Sequence, residues 1–147
     1  FYPLNISSLS LSYNQLEIVE IDAFSNLINL KILYLFHNNL KFFYINQLPK
    51  LEALRLDENL IELVDSKMLS SMPILKILYL NTNKIMNVSK NVFLLTPLIE
   101  ELRLEKNNLN NIGLNNLKYL RDLHLGLNKL NSLRNESFVN LIHLNKL

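Results

Sequence analysis

At steps of 21 or 24 residues the chain sets down Tyr34, Arg55, Tyr79, Arg103 and His124, each between two leucines. Tyr and Arg are the side chains that most often anchor protein–protein contacts, and a guanidinium can lie on an aromatic ring. Two and three residues further on, the same rhythm brings Phe36 and His37, Asp57 and Glu58, and Glu105 with Lys106. Tyr13 holds the matching place at the start of the chain. An aromatic group (Tyr13, Tyr34, Phe36, His37) is therefore expected beside a charged one (Arg55, Asp57, Glu58, Arg103, Glu105), with Tyr79 between the two arginines. That chemistry is recognition. Catalysis finds no comparable set: His37, His124 and His143 are far apart and not at metal-ligand spacing. Ser7 and Ser8 have no His or Asp close by to complete a triad. Gly113 and Gly126 are isolated, so no phosphate loop is present, and a chain without Cys has no thiol nucleophile or zinc-thiolate site. No catalytic, metal or cofactor site is expected.

The positions depend on a repeat. Leu and Asn supply 36 and 23 of the 147 residues, a diet that suits one structural slot used many times. Aligned on Leu51-Glu-Ala-Leu54-Arg-Leu56-Asp-Glu-Asn59-Leu-Ile61, the unit is apolar at places one, four, six and eleven, with Asn at place nine. Six units begin at Ile6, Leu30, Leu51, Leu75, Ile99 and Leu120, and a truncated seventh begins at Leu144. Place nine is Asn in every full unit: Asn14, Asn38, Asn59, Asn83, Asn107 and Asn128. An amide both donates and accepts, so this column suits backbone groups of a turn that enters the core. The alternation at places four and six predicts a short strand with places five, seven and eight facing solvent.

The back half of the unit varies in length. Units of 24 residues carry a second apolar pair: Phe24 with Leu27, Leu69 with Met72, Phe138 with Leu141. In the fourth unit Thr96 stands where the partner of Phe93 should be apolar. Units of 21 close on Leu48 or Leu117 alone. Pro49, Pro73 and Pro97 each fall two residues before a new unit, where no ladder bond is lost.

This pattern resembles the typical class of extracellular leucine-rich repeats, as in Toll-type receptors and Slit- or chaoptin-like adhesion proteins. Ser10-Leu11-Ser12-Tyr13-Asn14-Gln15-Leu16 followed by Ala23-Phe24-Ser25-Asn26-Leu27 carries the likeness, which extends over the whole chain. The resemblance implies an α/β-type solenoid: a horseshoe with a parallel concave β-sheet and a mostly irregular or 3₁₀ convex side. Residues 1–147 would form a single array. It also implies a protein ligand or co-receptor, an extracellular or cell-surface location, a role in signalling, innate immunity or adhesion, and room for a membrane anchor elsewhere in the parent chain. An intracellular scaffold or regulatory subunit of the same fold is the rival reading. The flanking cysteine-rich caps of such arrays are missing here, and both ends stop within the repeat, so further repeats or caps are expected on each side.

Charge and hydropathy agree with a protein partner. A net charge of +2 is too small to point to nucleic acid, and no apolar run of about 18 residues exists that could span a membrane. Three acceptor sequons, Asn5-Ile6-Ser7, Asn87-Val88-Ser89 and Asn135-Glu136-Ser137, lie outside the solvent-facing strand columns. Glycans at Asn5, Asn87 and Asn135 would leave that face open.

Overall fold

The computed structural model describes residues 4–114, 116–133 and 137–147. Each unit contributes one three-residue strand at places three to five: β1 (Ser8–Ser10), β2 (Ile32–Tyr34), β3 (Ala53–Arg55), β5 (Ile77–Tyr79), β7 (Glu101–Arg103) and β8 (Asp122–His124). They form one parallel sheet in that order, with like places paired: Leu33 on Leu54, Leu54 on Leu78, Leu78 on Leu102. The ladder runs past the strands. Place-six amides still reach the next unit, as Leu35 N–H does to the Arg55 carbonyl at 2.9 Å, and so do place-eight amides. The truncated seventh unit starts the same pairing, with Lys146 bridged to Asp122.

Place four is the inner face of the sheet, and Leu33, Leu54, Leu78, Leu102 and Leu123 are fully buried there. Each such leucine gains about 2 kcal/mol from leaving water. Behind them lie Phe24, Phe43, Leu69, Phe93 and Leu117, also buried, while Phe138 is partly so. The core is one continuous cluster along the array.

The asparagines close the structure from unit to unit. Asn59 donates from Nδ2 to the carbonyl of Leu56 in its own unit at 3.1 Å and to that of Leu35 in the preceding one at 3.0 Å. Its Oδ1 accepts the buried N–H of Leu40 at 3.0 Å. Asn38, Asn83, Asn107 and Asn128 repeat all three bonds with their own neighbours. Asn14 is the exception, being exposed and bonded only within its own unit. Just before each asparagine the chain turns left-handed: Tyr13, His37, Glu58, Thr82, Lys106 and Leu127 all have φ of 54–56°. Non-glycine residues adopt that conformation at a cost of order 1 kcal/mol or more. The amide bonds of the next residue offset it.

From the second unit on, each new unit is entered through a tight turn, in which place one donates to the residue three before it, apolar except for Thr96. Leu51 N–H meets the Leu48 carbonyl at 3.1 Å and Leu75 N–H the Met72 carbonyl at 3.2 Å. Pro49, Pro73 and Pro97 follow the accepting residue directly, where a fixed φ favours the turn. The convex layer is mostly irregular, with one 3₁₀ segment at Val92–Leu95, as expected. It also contains two elements that periodicity did not predict. One is a single α-helical turn, α1 (Ser66–Leu69), capped by the Asp65 carboxylate. The other is a two-stranded parallel sheet on the flank, β4 (Leu63–Val64) with β6 (Asn87–Val88).

Thr96 is wholly buried and its hydroxyl has no partner. Thr96→Val should therefore raise stability by about 1–3 kcal/mol, read from the denaturant midpoint, because it removes an unsatisfied group from a site already shaped for an apolar one. The asparagine bonds make the opposite forecast. Asn59→Ala and Asn83→Ala should each cost about 2–4 kcal/mol, while Asn14→Ala and the exposed Asn39→Ala should cost under about 1 kcal/mol. Equal melting shifts for all four would contradict the structural role assigned to the column.

Candidate functional site

The exposed side of the six-stranded sheet brings the candidate recognition residues into one file. Tyr13 meets Phe36 edge-on with centroids 5.1 Å apart, and Tyr13 also lies 4.9 Å from the His37 ring. Tyr34 meets Phe36 at 6.3 Å. The Arg55 guanidinium lies 4.1 Å from the Phe36 centroid, 5.8 Å from that of Tyr34 and 5.3 Å from that of Tyr79. On the far side of Tyr79, Arg103 stands 4.4 Å from the same ring. The two groups expected from the sequence, one aromatic and one charged, are therefore a single run. Arg55 joins them, because parallel pairing puts it beside Tyr34 and Tyr79 at like places.

The carboxylates differ from expectation. Asp57 was expected among the residues facing solvent, yet only 2% of it is exposed. It lies against Arg55, which donates from Nε at 3.0 Å and from Nη2 at 2.8 Å in a two-pronged pair. A short side chain two places after Arg55 can fold back beneath it, and burial of the charge is tolerated because both oxygens are paired. Glu58 is exposed, and its Oε2 lies 2.8 Å from His37 Nδ1. Glu105 is half-buried, and its Oε2 is among the buried polar atoms without a partner. Ser12 Oγ, Asn81 Oδ1 and His124 Nε2 share that condition on the same face.

Glu101 belongs to the same network of side chains, although the sequence did not single it out. It occupies place three, which was not read as part of the exposed face. Its Oε1 accepts from the Tyr79 hydroxyl at 2.8 Å and from Arg103 Nε at 2.9 Å. Alternation could have found it, since places three and five fall on one side of a strand. Burial works to raise its carboxyl, but the bonds from Tyr79 and Arg103 and the arginine charge prevail and hold it below the usual carboxylate range. Burial, followed by the Glu101 bond and charge, pushes the Tyr79 phenol up to about 12, against the pull of Arg103 and Arg55. Place two was also overlooked. It carries Lys31, Glu52, Lys76, Glu100 and Arg121, with Glu52 between Lys31 at 3.5 Å and Lys76 at 3.3 Å and Arg121 on Glu100 at 3.4 Å. These pairs are solvated, and such pairs contribute little to stability.

Among the described residues no group of three or more His, Asp or Glu stands where it could hold a metal ion. Likewise no helix is long and apolar enough to cross a membrane. Asn5 and Asn87 are exposed and lie off the exposed face of the main sheet, whereas Asn135 falls outside the described residues.

The phenol shift carries a sign. A Tyr79 pKa raised above its ordinary value of 10.0 contributes stability that is complete below pH 10 and is lost as pH climbs through about 12. The Tyr44 phenol is also raised, by burial and Asp65, and spectrophotometric titration of the folded protein should show Tyr79 ionising late as well. In Glu101→Gln that tyrosine should titrate closer to pH 10, and an unchanged late phase would remove Glu101 from this role.

A family model for the leucine rich repeat matches residues 4–61 and again residues 49–109. No curated protein matches the chain in sequence. Among solved structures, the functional domain of InlJ from Listeria monocytogenes aligns with a TM-score of 0.79 at 22% identity, over 97% of this chain and 29% of that one. TLR13, in its complex with ssRNA13, aligns with a TM-score of 0.73 at 24% identity, over 95% of this chain and 25% of that one. The chain thus spans less than a third of either matched chain, and at these identities the likeness is one of fold. The InlJ domain includes a cysteine ladder, which has no counterpart in a chain without cysteine. With the family model covering most of the array and the asparagine column intact through six units, the chain belongs to the leucine-rich repeat family and resembles Toll-type receptors in fold.

Proposed function

We propose that this array is the recognition segment of an extracellular receptor or adhesion protein. Its concave face would contact a protein ligand or co-receptor through Tyr13, Tyr34, Phe36, His37, Arg55, Tyr79 and Arg103, with Asp57, Glu58, Glu101 and Glu105 as their charged partners. The observation that carries this reading is the unbroken run Tyr13–Phe36–Arg55–Tyr79–Arg103 across five neighbouring units. Rings and guanidinium planes that already stack on one another lose little freedom when a partner lands, which favours tight contact.

The nature of the partner follows from where the arginine donors already go. Arg55 and Arg103 each turn Nε and Nη2 toward a carboxylate of this chain, Asp57 and Glu101, so the charge of both is already offset. Nucleic-acid binding rests on unpaired cations that displace counterions. A protein surface with its own aromatic and polar groups suits this face better. The exposed sequons at Asn5 and Asn87 support placement outside the cell, and glycans there would leave the sheet uncovered. The same chemistry supports a binding module rather than an enzyme.

Alanine substitution tests the assignment. Tyr13→Ala, Tyr34→Ala and Arg103→Ala should each weaken the partner by more than about 1 kcal/mol, while Glu20→Ala on the back should be silent in the same titration. Arg55→Ala is a poor probe, since it would strand the buried Asp57 charge and unsettle the fold. A partner indifferent to all three concave changes, or one whose affinity falls steeply with salt as a polyanion's does, would overturn the proposal.

A further inference from the structure

The two short units treat the gap behind them differently. In the second unit, places thirteen to fifteen are Phe42, Phe43 and Tyr44, and in the fifth they are Asn111, Ile112 and Gly113. Phe43 and Ile112 both turn into the core. Tyr44 fills the space left by the missing residues: its ring stacks on Phe42 at 5.4 Å, and its hydroxyl donates to Asp65 Oδ2 at 3.2 Å. At the fifth unit no such ring exists. Nothing lies within 4 Å of where a Gly113 Cβ would stand, and a cavity of about 520 Å³ opens between the longer fourth and sixth units. That volume is within the range of small-molecule sites.

The lining specifies the chemistry. Val88 and Ile112 give an apolar floor, and amides of Asn91, Asn111 and Asn131 with the Ser132 hydroxyl surround it. Each amide can donate and accept, which matches hydroxyl and acetamido groups. Among the described residues Lys90 brings the one charge to this lining, and the other polar groups it offers are uncharged amides and hydroxyls, which suit a ligand rich in such groups. An aromatic side chain of a partner would follow the Tyr44 precedent, but place thirteen offers it an amide in Asn111 instead of the Phe42 ring. We propose that the cavity behind the fifth unit binds a neutral saccharide carrying acetamido groups, with the acetyl methyl on Val88 and Ile112 and the polar groups on the asparagines. The inference is independent of the concave face and survives if that reading fails.

The test uses ¹⁵N-labelled, unglycosylated protein titrated with the N-acetylglucosamine disaccharide. Amide shifts at Asn111, Gly113 and Asn131 should saturate at millimolar ligand. Gly113→Tyr, which refills the gap, and Asn111→Leu, which removes a wall amide at an exposed position, should each weaken binding about tenfold or more. Tyr34→Ala should leave it unchanged. The same shifts without added sugar in protein carrying a glycan at Asn87, beside Val88, would identify the chain's own glycan as the source of that chemistry. The proposal fails if the wild type shows no shifts at these amides, if both folded variants bind as the wild type does, or if N-acetyltyrosinamide binds there more tightly than the disaccharide.

Discussion

From Leu11 to Leu104 the place-six carbonyls of the array accept two side-chain amide bonds, one from the asparagine of their own unit and one from that of the next, and Leu125 accepts from Asn128. Leu35, Leu56, Leu80 and Leu104 all do so, at 2.9–3.1 Å. A parallel solenoid turns its chain inward after every strand, and that turn buries backbone groups that no ladder can reach. Buried N–H and C=O groups must be paired, or each one left alone costs the fold about as much as a leucine contributes. The asparagine column is what allows a leucine core of this length to exist at all. It also dictates the left-handed residue before it, so that place eight throws its side chain to the rim whatever its type.

Once the backbone is fixed unit by unit, the concave surface follows from neighbours at like places. Arg55 finds rings on both sides because Tyr34 and Tyr79 are its lateral partners in the sheet. Its charge is balanced by a buried Asp57, and that of Arg103 by Glu101, so the face combines large contact area with little free charge. Such a surface discriminates through shape and ring contacts more than through long-range attraction. The Glu101–Tyr79–Arg103 bonds further hold two of the largest side chains in one arrangement before any partner arrives.

The convex side obeys a looser rule. Its only obligation is to cover the core, and units of 21 and 24 residues meet it with different amounts of chain. Where a short unit lies between longer ones a gap results, closed by Tyr44 in one case and left open at Gly113 in the other. The short flank sheet β4–β6 forms where two consecutive units happen to align their extended segments.

What the sequence determined is everything set by period: the register of the six units, the parallel sheet, the leucines of the core, the asparagine column and the columns that face outward. A repeated slot reports its own burial, because the same residue type returns whenever the same contacts do. Tyr13, Tyr34, Phe36, His37, Arg55, Tyr79 and Arg103 were legible as surface residues for that reason. The tertiary structure alone decided the burial of Asp57, the recruitment of Glu101, the joining of two surface groups through Arg55, the unsatisfied Thr96 and the cavity at Gly113. Each of these depends on distances between side chains of different units, often at different places. Spacing along the chain fixes which strands are neighbours, but only packing fixes how far a guanidinium, a carboxylate or a missing ring lies from the residue beside it.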